Sequence, residues 1–247
     1  MTLSEKRARL TAKATRQGAK RPAKGARRAK QWVYLFREGR ASQKALLGGK
    51  GANLCEMTRL GLPVPPGFIV STEACNAALE AGALPKAVWA QVLAALKQLE
   101  AASGRVLGDP LKPLLVSCRS GAKFSMPGMM DTVLNLGLND TVATALSSQP
   151  GRERFAFDAY RRLVQMFATV VLGLDRQPFE DELAARRRAA GVDSDSGLDA
   201  DALAIVTRRF LTLVHEQTGR PFPQDPHEQL RLAIEAVFKS WNGKRAV

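Results

Sequence analysis

The hydrophobic pattern of the chain changes character at Asn139, and that change constrains the fold more than any other feature. Beyond it no segment alternates polar and apolar residues as a half-buried strand does. Instead Phe155, Ala159, Leu163, Phe167 and Val170 form one stripe at helical spacing. Leu203, Val206, Phe210 and Leu213 form a second, and Leu230, Ile234, Val237, Phe238 and Trp241 a third. A helix with a single apolar stripe buries it against other such stripes, so residues 140–247 are expected to be three or four helices packed on one another. Arg186-Arg187-Arg188 ends a further helix, where positive charge complements the helix dipole, and Gly191 to Gly197 is a polar linker.

Before Asn139 strands and helices mix. Trp32 to Phe36 has the β-branched and aromatic content of a buried strand, and Phe68 to Val70 reads as another after a proline-locked course from Leu62 to Gly67. Between them the loop Gly48-Gly49-Lys50-Gly51 feeds a helix over Ala52 to Leu60 that Gly61 can end. Ser71 or Thr72 caps the next helix. Val88, Val92, Leu93, Leu96 and Leu99 mark a longer one over 87–102, and Leu114 to Cys118 and Thr132 to Leu136 read as extended. The fold class expected is α+β, a mixed lobe over 32–139 followed by a mostly helical subdomain over 140–247.

Composition fits that reading. Hydrophobic residues make up 45% of the 247 and charged residues 24%, as in ordinary globular proteins, and no apolar run approaches the roughly 18 residues that span a bilayer. The net charge of +14 suggests a nucleic-acid binder until its location is considered. Residues 1–30 hold eleven Lys or Arg against the single acid Glu5, while the rest of the chain carries 26 basic and 22 acidic residues. Residues 1–31 therefore read as a basic, disordered leader outside the globular body, able to contact polyanions non-specifically. An upstream start codon or an organelle transit peptide would produce the same segment; a secretory signal would not, since no apolar run follows the basic residues. The expected compartment is the cytoplasm, or an organelle if the leader is a transit peptide.

Cys55, Cys75 and Cys118 are odd in number and widely spaced, with no CxxC pair, which suits a reducing compartment and gives neither a disulfide framework nor a zinc site. His215 and His227 lie far apart on polar stretches and are expected at the surface.

Two loops have what a phosphate site needs. Gly49 and Gly51 let backbone N–H groups approach an anion, a helix N-terminus stands behind them, and Lys50 supplies a mobile charge. The same residues also describe a glycine-rich turn with an exposed lysine, and they are not a Walker A sequence. Arg119 follows a strand directly, so a rigid edge would carry a guanidinium suited to phosphate oxygens. Ser125-Met126-Pro127-Gly128-Met129-Met130-Asp131 continues as either a flap that closes over a nucleotide or a hydrophobic loop covering the sheet edge.

LGGKGANL (47–54), TRLGLPVPPGFIVSTEAC (58–75) and VSCRSGAKFSMPGMMDTVLNLGLND (116–140) resemble the nucleotide-binding region of the pyruvate, phosphate dikinase family. The stretch RSGAKFSMPGMMDTVLNLGLN is highly specific, and the resemblance runs from about Trp32 to Val247. It implies the first part of an ATP-grasp domain with a helical insertion. It also implies an enzyme that interconverts ATP, phosphate and pyruvate with AMP, pyrophosphate and phosphoenolpyruvate through a phosphohistidine. The family's ATP-contacting lysine falls on Lys50, its arginine on Arg119, and its flap on Ser125, Gly128, Met129, Met130 and Asp131. ATP and Mg2+ are the implied ligands.

The resemblance also implies that the metal ligands, the phosphohistidine and the pyruvate site lie downstream of Val247, so this chain is expected to need the remaining dikinase domains, in the same or a separate chain, and to be inactive alone. The complete enzyme is compatible with an oligomer. Two alternatives differ in class: a non-catalytic binding module with a polyanion-binding tail, and part of a related phosphoenolpyruvate synthase, against which the flap sequence argues.

Overall fold

The computed structural model describes residues 30–120 and 132–241. Among them the chain is mostly helical with short strands, an α+β arrangement, and Trp32 opens the compact unit. β1 (Val33–Leu35) pairs antiparallel with β2 (Phe68–Val70), Val33 opposite Val70. The exposed edge of β1 is satisfied by a side chain: Gln91 Oε1 accepts from the N–H groups of Trp32 (2.7 Å) and Val33 (3.2 Å). Between these strands runs α1 (Lys44–Arg59), and after them α2 (Thr72–Ala81) and α3 (Lys86–Ser103). Ser71 is the residue that caps α2, accepting from the N–H of Ala74 at 3.2 Å.

The expected strand over Leu114 to Cys118 is divided. β4 (Pro113–Leu114) pairs parallel with β3 (Val106–Leu107), and β5 (Val116–Arg119) pairs antiparallel with β6 (Thr132–Leu136), placing Arg119 opposite Thr132. Gly137 ends β6 at φ 108°, where a Cβ would stand 2.7 Å from the Leu114 carbonyl oxygen, so no other residue fits without moving the backbone.

After β6 the described chain is helical, with five α-helices where three or four were expected, the unforeseen one being α4, which no stripe marked: α4 (Asp140–Ser147), α5 (Glu153–Met166) running into a π turn at Phe167–Val171, α6 (Gln177–Ala190), α7 (Ala200–Thr218) and α8 (Pro226–Ser240). One contiguous core runs from Val33 through Phe238, with Phe179 edge-on to Phe210 at 5.1 Å and Phe167 edge-on to Phe222 at 5.3 Å. A smaller cluster of Leu47, Ala52 and Cys55 joins α1 to Tyr34 and Ile69. Phe155 departs from expectation: it is 50% exposed, and Ala156, Ala159, Tyr160, Leu163 and Val164 form the buried face of α5.

Ion pairs and hydrogen bonds hold most buried polar side chains among the described residues, although Asp158 Oδ1, Arg161 Nε and Arg186 Nε are buried without a hydrogen-bond partner. Arg161, 2% exposed, pairs with Asp158 (2.6 Å) and Asp195 (3.0 Å), and Arg187 also reaches Asp195 (2.8 Å), fixing the linker between α6 and α7. Tyr160 donates to Asp140 Oδ1 at 2.7 Å and accepts from Gln224 at 3.2 Å; burial, with the Asp140 carboxylate adding to it, pushes its hydroxyl pKa well up. No helix of the described residues is long and apolar enough to cross a membrane.

Candidate functional site

The glycine cluster is not a loop, and this corrects the expectation. Helical structure already begins at Lys44, is broken at Gly48 (φ 70°, ψ 164°), and resumes through Gly49, Lys50 and Gly51. Only glycine visits that backbone region readily, so a side chain at 48 would be strained. The break divides α1 into a short first turn and a main helix whose N-terminus opens at Gly49. The Thr72 hydroxyl, from the start of α2, donates to the carbonyls of Ala45 (2.7 Å) and Leu46 (3.3 Å) and so satisfies the carbonyl end that the break leaves.

The three glycines have different reasons to be glycine. Gly48 supplies the conformation. A Cβ on Gly51 would lie 3.0 Å from Ile69 Cδ1, so Gly51 lets α1 pack closely on β2. A Cβ on Gly49 would meet nothing within 4 Å, which leaves the backbone at the helix start open to approach. Lys50 is exposed on that first turn. The arrangement is a helix N-terminus with its positive dipole end, an accessible backbone and a cation, a combination suited to an anion.

Arg119 ends β5, where side chains alternate: Ser117 and Arg119 are exposed, Val116 and Cys118 half-buried. The guanidinium therefore projects outward from a paired strand, as expected. Its neighbour Ser120 is only 4% exposed, and its hydroxyl accepts from the indole N–H of Trp241 at 3.1 Å. Lys50 and Arg119 belong to different sheets, the first on the helix packed against β2, the second at the end of the β5 and β6 ribbon. Ser125, Gly128, Met129, Met130 and Asp131 lie outside the described residues.

Burial pushes the Cys75 thiol up to about 11 and the Cys118 thiol up to about 12, and raises that of Cys55, so none is poised as a nucleophile. His215 and His227 are both exposed, as expected. A polar cleft of about 350 Å3 is lined in part by Arg105, Lys112 and Arg152, and by none of the expected site residues. The links that sequence reasoning missed are Ser120 to Trp241 and the fully buried Gln229, both of which join the ribbon to α8. A serine after an arginine and a glutamine inside a helix carry no pattern that would single them out.

A family model described as "Pyruvate phosphate dikinase, AMP/ATP-binding domain" matches residues 44–88 and 77–247. Pyruvate, phosphate dikinase 2 of Zea mays is 51% identical over 224 residues, which are 89% of this chain and 25% of that protein. Pyruvate, phosphate dikinase of Rhizobium meliloti is 49% identical over 222 residues, 88% of this chain and 25% of the relative. The enzyme of the same name from Entamoeba histolytica is 47% identical over 218 residues, with the same two coverages. The chain thus spans about a quarter of the length of these relatives.

Proposed function

The chain belongs to the pyruvate phosphate dikinase AMP/ATP-binding domain family, and on that premise we propose that it forms one wall of an ATP site in which Lys50 and Arg119 hold the phosphates. The observation that carries this reading is the break at Gly48, which starts a helix at an open glycine beside an exposed lysine. Residues 32–139 then act as the first lobe of an ATP-grasp domain and 140–247 as its helical subdomain, an assignment supported by the placement of every described strand before Gly137.

The role of the two cations is electrostatic. They orient the phosphates and neutralise charge that develops as a phosphoryl group leaves. Gly49 and Gly51 contribute at the backbone, Gly49 by open approach and Gly51 by seating the helix. Ser125, Gly128, Met129, Met130 and Asp131 keep the flap role that the resemblance implies. Magnesium, implied in the same way, is assigned no ligand here: among the described residues no three His, Cys, Asp or Glu side chains come together to hold a metal. We place this chain at the nucleotide step of the conversion of ATP, phosphate and pyruvate to AMP, pyrophosphate and phosphoenolpyruvate. The phosphohistidine and pyruvate steps fall to other dikinase domains.

A phosphate held on one wall stays in contact with water, where a charge pair 4 Å apart is worth about 1 kcal/mol against about 4 kcal/mol at an effective dielectric of 20. The chain alone should therefore bind ATP weakly, with Kd well above the micromolar range. Titration calorimetry and NMR titration with ATP test this. Lys50→Ala and Arg119→Ala should each weaken binding about tenfold. Micromolar or tighter affinity would refute the single wall, and an ATP response indifferent to both substitutions would refute the site.

A further inference from the structure

The ribbon that carries Arg119 is fastened to α8 at both ends. At one end Gln229 reaches 92 residues back along the chain, its carbonyl accepting from the Gly137 N–H (3.1 Å) and its amide nitrogen donating to the Leu138 carbonyl (2.9 Å). At the other end the Trp241 indole donates to Ser120. Twelve residues of helix separate the two anchors, about 18 Å at 1.5 Å per residue. Val116 to Ser120 of the ribbon covers about 13 Å. The helix is long enough to lie along the whole ribbon, and it packs on both β5 and β6.

The Trp241 contact is placed where it governs Arg119. Ser120 is the next residue, buried, and its side-chain hydroxyl is the acceptor. The Arg119 guanidinium makes no hydrogen bond or ion pair with another described residue, so its position rests on the backbone beneath it. Residue 120 is where β5 pairing stops, since Arg119 opposite Thr132 is the last pair of the ladder. A strand end frays unless something holds it.

We propose that Trp241 is a positioning residue for Arg119: through the Ser120 hydroxyl its indole N–H holds the end of β5, so that the arginine meets a phosphate without first being ordered. This rests on the reading that Arg119 binds ATP phosphates. Ordering a loose strand end on binding would cost affinity that the clasp saves. The helical subdomain is in this way part of the nucleotide site through its last described helix, although it supplies no phosphate contact.

The test compares the full chain with Trp241→Phe, Ser120→Ala and Arg119→Ala, together with the double variant Trp241→Phe/Arg119→Ala. Hydrogen exchange of the β5 amides is measured without nucleotide, and ATP affinity by NMR titration. Loss of one hydrogen bond should speed β5 exchange and weaken ATP about three- to tenfold in either clasp variant. In the Arg119→Ala background Trp241→Phe should have no further effect on ATP. Should Trp241→Phe unfold the end of α8, Ser120→Ala leaves the indole in place and reads the same coupling. Unchanged β5 exchange overturns the proposal, as does equal weakening of ATP with and without Arg119. If the wild-type chain shows no ATP response, the nucleotide reading falls and the positioning role with it. The exchange data identify that case, because β5 still loosens in both clasp variants.

Discussion

Replacing Gln229 tests the packing of the whole unit at one side chain. Gln229 is 0% exposed, and its amide nitrogen donates to the carbonyls of Leu138 (2.9 Å) and Pro223 (2.8 Å) while its carbonyl accepts from the Gly137 N–H (3.1 Å). Gln229→Ala leaves these three backbone groups without their partner inside the protein. Each unsatisfied buried group costs about 1 to 3 kcal/mol, partly relieved if water enters the space left behind. A net loss of about 4 kcal/mol is expected, a large share of the roughly 5 to 15 kcal/mol that holds a domain folded. Urea unfolding followed by tryptophan emission gives the number. Gln229→Leu separates the causes, because it restores most of the volume and none of the hydrogen bonds. If the bonds matter, Leu should cost nearly as much as Ala; if only packing matters, Leu should be near neutral. A Gln229→Ala loss below 1 kcal/mol, or a Leu variant as stable as the wild type, would refute the reasoning.

Gly48→Ala should cost about 1 to 3 kcal/mol through its backbone angles and impair ATP binding, whereas Gly49→Ala should raise stability by up to about 1 kcal/mol and still lose ATP affinity. Asp195→Ala removes one of two partners of buried Arg161 and the partner of Arg187, and should lower stability by about 2 kcal/mol in the same urea assay. The Cys75 thiol is raised to about 11 from an ordinary 9.0, so the folded state holds that proton more tightly than the unfolded chain. Its contribution is complete below pH 9 and lost as pH rises toward 11, about 3 kcal/mol in all; Cys75→Ala should flatten that part of a stability-against-pH curve. ATP affinity of the chain should fall steeply between low salt and about 0.1 M KCl, where the screening length is about 10 Å, and a flat salt response would exclude exposed Lys50 and Arg119 as the binding cations.

The elements that declared themselves in sequence are those set by local composition. β1 and β2 follow from β-branched and aromatic runs, α7 from a stripe that alternates steps of three and four, and α2 from a serine at its start. Phe155 misled because the stripe 155, 159, 163, 167 advances by four at each step, and every such step rotates about 40° around a helix of 3.6 residues per turn. Traced back from buried Phe167, three such steps turn the line off the buried face by Phe155, and Ala156 occupies that face instead. The glycine cluster misled differently. Four of five residues from Gly48 to Ala52 are glycine or alanine, yet only Gly48 leaves helical geometry. Gly49 and Gly51 stay helical at a cost of about 1 kcal/mol each relative to alanine, accepted where one packs on Ile69 and the other faces open space. Lys50 and Arg119 could be singled out from their neighbours in sequence. The anchors of Arg119 could not, because Ser120 and Trp241 are 121 residues apart and meet only through the path of α8.

If Lys50 and Arg119 meet phosphates as proposed, that division between visible cations and hidden supports follows from the physics of such a site. A cation that meets a phosphate does so from the end of an element, where it is exposed. Its placement then depends on the groups that hold the backbone beneath it. For Lys50 these are the Gly48 angles and the Thr72 hydroxyl, both within the first lobe. For Arg119 they are Ser120, Trp241 and Gln229, two of which come from α8. Loosening α8 should therefore weaken the arginine contact while leaving the lysine contact intact. In the open, water-facing state this difference is the three- to tenfold expected of the clasp variants. Once a second surface covers the phosphates and the effective dielectric falls, the same misplacement acts on an interaction about four times stronger. The helical subdomain should accordingly matter more to a covered nucleotide than to one bound by this chain alone.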